Sequence, residues 1–147
     1  MLAQEQIETI KNFLIEHLSP DVIYIFGSAA KDDMRPDSDI DIAFLSDTTH
    51  DAYDIFMLAQ KLASLLHRDI DLVDLNRAST VFQMQVVSTG QVIYSKDEKK
   101  RILFETYVYK EYATLCEDRE PIIKRIKHDG SVYGNRKIYG SGDIYGK

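Results

Sequence analysis

Apolar positions divide the chain into eight elements before any chemistry is considered. Ile7, Ile10, Phe13, Leu14 and Leu18 recur at three-and-four spacing, which predicts an amphipathic helix over 2–18, ended by Ser19-Pro20-Asp21. Residues 22–26 (VIYIF) form a short continuous apolar run rich in β-branched and aromatic residues, the pattern of a buried strand. A polar loop leads to a second strand over 39–45. Ile55, Leu58, Ala59, Leu62, Leu65 and Leu66 then predict a helix over 51–66, and DIDLVDL a third strand over 69–75. A helix around 80–87 stopped by Gly90, a strand over 91–94 (QVIY) and a helical stretch from Asp97 to about Lys127 complete the series, with Pro121 expected to begin a second helical segment.

The order is α-β-β-α-β-α-β-α, an α/β (α+β) domain with one small sheet covered by helices. The loop joining the first two strands is too short for a helical crossover, so mixed rather than purely parallel pairing is expected. Three segments follow: a core over 1–96, a C-terminal helical segment over 97–128 and a tail over 129–147. In the tail Tyr-Gly recurs at Tyr133, Tyr139 and Tyr145, with too few apolar residues to pack, so it is expected to be mobile.

Bulk properties narrow the function. The chain has 147 residues and a net charge of −6, long enough to bury a core and without the basic footprint of a dedicated nucleic-acid binder. Its one cysteine, Cys116, permits no intrachain disulfide, and neither a membrane span nor a secretory signal is visible, which together point to the cytoplasm. His17, His50, His67 and His128 show no metal-ligand spacing. Tyr107, Tyr109 and Tyr112 cluster on the last helix, where core packing and a partner face are both open.

The chemistry concentrates in residues 27–45, GSAAKDDMRPDSDIDIAFL. Strand alternation sends Asp39 and Asp41 to one face and Ile40, Ile42 and Phe44 to the other. Two carboxylates so close resist joint ionisation unless a cation joins them. Oxygen ligands without His or Cys favour Mg²⁺, with Mn²⁺ a substitute, and two ions would stabilise both attacking and leaving oxygens. On the third strand Ile70 and Leu72 belong with the core. Asp71 therefore faces the cleft and Asp74 does not, making Asp71 the third metal-holding carboxylate and the base for an acceptor hydroxyl. Gly27 admits close backbone approach, and Ser28 offers a hydroxyl and an amide to phosphates, more so if a short helix begins there. Lys31 and Arg35 are candidates to neutralise departing pyrophosphate, against the plainer alternative of a solvated loop.

The Gly-Ser turn, ten residues, Asp-x-Asp and a further Asp strand resemble the DNA polymerase β-type nucleotidyltransferase superfamily, and the small size resembles its minimal (MNT) branch. The match covers residues 1–127. It implies a polymerase β-like fold and ATP as substrate, with Asp39, Asp41 and Asp71 holding metal and Gly27, Ser28, Lys31 and Arg35 at the nucleotide. The sequence departs from the branch at Lys31-Asp32, where many members have Arg-Gly. Minimal members are typically antitoxins paired with a HEPN-domain ribonuclease toxin. The resemblance implies transfer of AMP from ATP to a tyrosine of that toxin, which silences it. A small-molecule nucleotidyltransferase of the aminoglycoside-modifying type has little chain left beyond the core to wall its substrate. A non-catalytic binding antitoxin would need none of the five residues Gly27, Ser28, Asp39, Asp41 and Asp71.

Overall fold

The computed structural model describes residues 2–30 and 38–128, with the backbone alone for Ser28, Ala30 and residues 118–128. Helix α1 (Gln4–Leu18) buries Ile10, Leu14 and Leu18 and stops where Ser19 turns left-handed at φ 46°, just ahead of Pro20. Strand β1 (Val22–Phe26) follows, buried at all five positions. A 3-10 turn at Gly27–Ala30 leaves it, and β2 runs from Ile40 to Leu45. Asp51 caps α2 (Ala52–Leu66) by accepting from the Tyr53 amide, and His67 closes that helix at φ 56°. Strand β3 (Ile70–Asp74), α3 (Thr80–Thr89), β4 (Gln91–Ser95) and α4 (Glu98–His128) complete the chain.

The four strands lie in the order β3-β2-β1-β4, with β1 antiparallel to both neighbours and β2 parallel to β3. The mixed pairing follows from the connections. The chain reverses direction between β1 and β2, whereas α2 carries it back so that β3 can run parallel to β2. Period-two alternation divides the core between the two faces. Ile23, Ile25, Ile40, Ile42, Phe44 and Leu72 pack beneath α1 and α2. Val22, Tyr24, Phe26, Ala43 and Leu45 pack against Phe82 and Val86 of α3 and Phe104 of α4, with the rings of Phe26 and Phe82 edge to face at 5.4 Å.

Two expectations change. α4 is one helix from Glu98 to His128, so Pro121 does not begin a second segment. A proline removes one amide donor from the ladder, and the turns on either side still propagate through their own bonds. Tyr107 and Tyr109 are exposed, so core packing does not explain them. Among the described residues no helix is long and apolar enough to cross a membrane. The tail over 129–147 lies outside the described residues.

Candidate active site

The β-ladders decide which side chains meet. Phe26 at the end of β1 pairs with Asp41, so the turn that follows lands beside that carboxylate. Gly27 sits at φ +69°, a conformation that costs any residue with a Cβ. A Cβ at that position would lie 2.2 Å from Asp41 Oδ2, so the carboxylate occupies the space a side chain would take. Asp41 in turn pairs with Asp71 across the parallel β2–β3 ladder. Both carboxylates are half-buried, on the face shared by Tyr24, Phe26 and Ala43, opposite Ile40, Ile42 and Leu72.

Asp39 is placed differently from expectation. β2 begins at Ile40, so Asp39 stands just before the strand and is exposed. Its flanking peptides are tied instead to the start of β3. Arg68 donates from Nε to the Ser38 carbonyl at 3.2 Å and from its terminal nitrogen at 2.5 Å. The Ile40 amide donates to the Asp69 carbonyl at 2.9 Å. Asp74 points to the opposite face, as strand parity predicts, and is occupied structurally. It accepts from the Asn76 amide at 3.0 Å and lies 3.9 Å from Arg77 Nε. Gly27 and Ser28 both lie in the 3-10 turn, which gives the short helical start expected there. Lys31 and Arg35 lie outside the described residues.

The donors suit a hard divalent cation, with one qualification of structure. Among the described residues no three carboxylate, His or Cys side chains gather closely enough to hold an ion alone. Mg²⁺ does not require such a cage, since it is commonly held by one or two carboxylates together with substrate phosphates and water. The Asp41–Asp71 pair, with Asp41 lying directly against the Gly27 turn, fits that mode. At ~5 Å and an effective dielectric of about 20, two carboxylates repel by about 3 kcal/mol, which a shared cation offsets.

On the same face of the sheet as the two carboxylates lies a network that sequence reading did not find. Tyr24, fully buried on β1, donates from its hydroxyl to Glu105 Oε2 at 2.9 Å. Arg101 donates to the same carboxylate at 3.1 Å and forks onto Glu98 at 2.7 and 2.9 Å. Burial, with the Glu105 carboxylate adding to it, holds the Tyr24 phenol well above its ordinary value. The hydrogen bonds from Arg101 bring Glu98 down to about 2. The network joins α4 to the middle of the sheet. Only a general amphipathic pattern on α4 hinted at it, because Tyr24 and Glu105 are 81 positions apart.

Asp71 also lines a cavity of about 450 Å³ that runs along β3 between Phe56 of α2 and Phe82 of α3. A Gly turn thus lies against Asp-x-Asp, with a third aspartate in register on a parallel neighbour, the arrangement expected of a nucleotidyltransferase. The polymerase beta nucleotidyltransferase family model matches residues 8–99, and the chain belongs to that family. It is 38% identical over 115 residues to the protein adenylyltransferase MntA of Shewanella oneidensis, covering 78% of this chain and 82% of that one. A toxin-antitoxin crystal structure with AMP-PNP matches with a TM-score of 0.76 and 37% identity, covering 82% of this chain and 98% of the other. A complex of a tri-AMPylated Shewanella oneidensis HEPN toxin with its MNT antitoxin matches with a TM-score of 0.72 and 36% identity, covering 84% of this chain and 98% of the other.

Proposed function

We propose that this protein is an antitoxin that transfers AMP from ATP to a tyrosine of a HEPN-domain ribonuclease toxin and thereby silences it in the cytoplasm. The observation that carries the reading is the in-register pair Asp41–Asp71, with the Asp41 carboxylate packed against the Gly27 turn. The relatives support the chemistry and the partner, since one is a protein adenylyltransferase and another is an MNT antitoxin bound to an AMPylated HEPN toxin.

Asp39, Asp41 and Asp71 would hold Mg²⁺, which supplies charge neutralisation at the phosphates when bound. The Gly27-Ser28 turn receives the triphosphate, and Lys31 and Arg35 are assigned to its leaving end. The tyrosine oxygen attacks the α-phosphorus as the bond to the β-phosphate oxygen breaks, pyrophosphate departs, and the phenolic proton passes to the Asp71 carboxylate. The acceptor is taken to approach along the β3 cavity, because Asp71 forms part of its wall. The catalytic unit is assigned to residues 1–96, the segment over 97–128 to its support, and the tail over 129–147 to neither.

Incubation with α-labelled ATP, Mg²⁺ and the HEPN partner tests this reading. Label is expected on a partner tyrosine and is expected to vanish with Asp39→Asn or Asp41→Asn. Label on an aminoglycoside with none on protein would establish the small-molecule alternative. Full neutralisation of toxicity by both Asn variants would establish a purely binding antitoxin.

A further inference from the structure

Asp39 has a problem that Asp41 and Asp71 do not share. Those two sit inside β2 and β3, where ladder hydrogen bonds fix the backbone, whereas Asp39 precedes the first residue of its strand. A carboxylate at a frayed strand end samples many positions, and a metal ligand tolerates few. The structure supplies an external brace on each side of it. The peptide after Asp39 is held when the Ile40 amide bonds the Asp69 carbonyl, and the peptide before it when the Arg68 guanidinium takes the Ser38 carbonyl. Both braces come from the two residues that open into β3.

Arg68 is itself well anchored. α2 ends with the His67 amide on the Ala63 carbonyl and the Arg68 amide on that same carbonyl at 3.3 Å, a left-handed cap that fixes where the Arg68 main chain leaves the helix. Its side chain is half-buried and places two donors on one oxygen, which a lysine ammonium on a flexible stem does not reproduce. From this we infer that Arg68 is a positioning residue for Asp39. It fixes the Ser38–Asp39 peptide so that the carboxylate is preset for the ion that accompanies the nucleotide. The inference rests on the reading of Asp39 as a metal ligand.

The test is Mg²⁺-dependent binding of the non-hydrolysable analogue AMP-PNP to the full chain by calorimetry, with Mg²⁺ in excess over the analogue. In Arg68→Gln the Mg²⁺ concentration for half-maximal tightening is expected to rise about 10-fold, as for residues that orient metal ligands from behind. Affinity at saturating Mg²⁺ and the urea midpoint are expected to stay at wild-type values, with Arg68→Lys intermediate. Asp39→Asn separates the two ideas. If it leaves the Mg²⁺ dependence untouched, Asp39 is no ligand and the role of Arg68 falls with it. If Asp39→Asn shifts the dependence and Arg68→Gln does not, the positioning role alone is overturned. Equal weakening by Arg68→Gln at every Mg²⁺ concentration, or a lowered urea midpoint that accounts for the loss, also overturns it.

Discussion

At Gly27 one missing atom serves two ends. Its φ of +69° is strained for any other residue, and the place of its Cβ is taken by Asp41 Oδ2 at 2.2 Å. In Gly27→Ala the backbone strain is expected to cost about 1–2 kcal/mol. The clash itself is with the end of a side chain that can rotate away, so it adds little to that cost and instead displaces the carboxylate. Activity should therefore suffer far more than stability. The expected outcome is a drop of about 100-fold in labelling rate with a still cooperative thermal melt. Asp71 is expected to behave differently. On the proposed mechanism Asp71→Asn keeps the shape but loses the proton acceptor and one metal ligand, so labelling should slow by about 10²–10⁴-fold while AMP-PNP still binds, at a higher Mg²⁺ requirement, in a calorimetric titration.

Between elements, the Tyr24–Glu105 contact fastens α4 to the sheet, and its pH dependence has a definite sign. The folded phenol is held above the ordinary value of 10.0, so the unfolded chain ionises first as pH rises. The contribution is therefore complete below pH 10 and lost progressively above it. Tyr24→Phe is expected to cost about 1 kcal/mol near neutral pH. Relative to wild type, its stability should fall less steeply between about pH 10 and about pH 11 when urea midpoints are compared. Lysines titrating in the same window affect both proteins alike and cancel in the difference. Elements of this kind mark the limit of what the amino-acid order reveals. Alternating acidic and apolar residues on 39–42 (DIDI) and 69–72 (DIDL) was enough to place Asp71 and Asp74 on opposite faces, because burying Ile40, Ile42, Ile70 and Leu72 leaves the other face for the acids. The braces on Asp39 were not legible, since Arg68 reaches a carbonyl 30 positions away and any arginine in a turn has the same local signature. The unbroken α4 was misread for a related reason: local rules penalise Pro121, but the cost falls on one turn of a 31-residue helix.

For the molecule as a whole, the proposed site draws on β1, β2, β3 and the turn after β1, and α4 packs on the same face of the sheet through Tyr24 and Phe104. Removing residues 129–147 is accordingly expected to leave both the labelling rate and the melting temperature unchanged. Equal melts but lost labelling of the partner would show that the tail takes part in recognising it. The side chains of Ile102, Leu103 and Tyr107 on α4 are exposed. The support role of α4 is thus separable from its surface, and variants at these three positions should melt like wild type.

The parallel pairing of β2 with β3 has a consequence for quality control. Asp41 meets Asp71 in the same register that sets Ile42 beside Leu72. A slip of one residue along β3 would turn Asp71 inward and an isoleucine or leucine outward, so the error would be penalised in the core and be inactive at once. Competence for nucleotidyl transfer and correct threading of the sheet are thus one property. The catalytic yield of a refolded preparation should count correctly registered molecules directly.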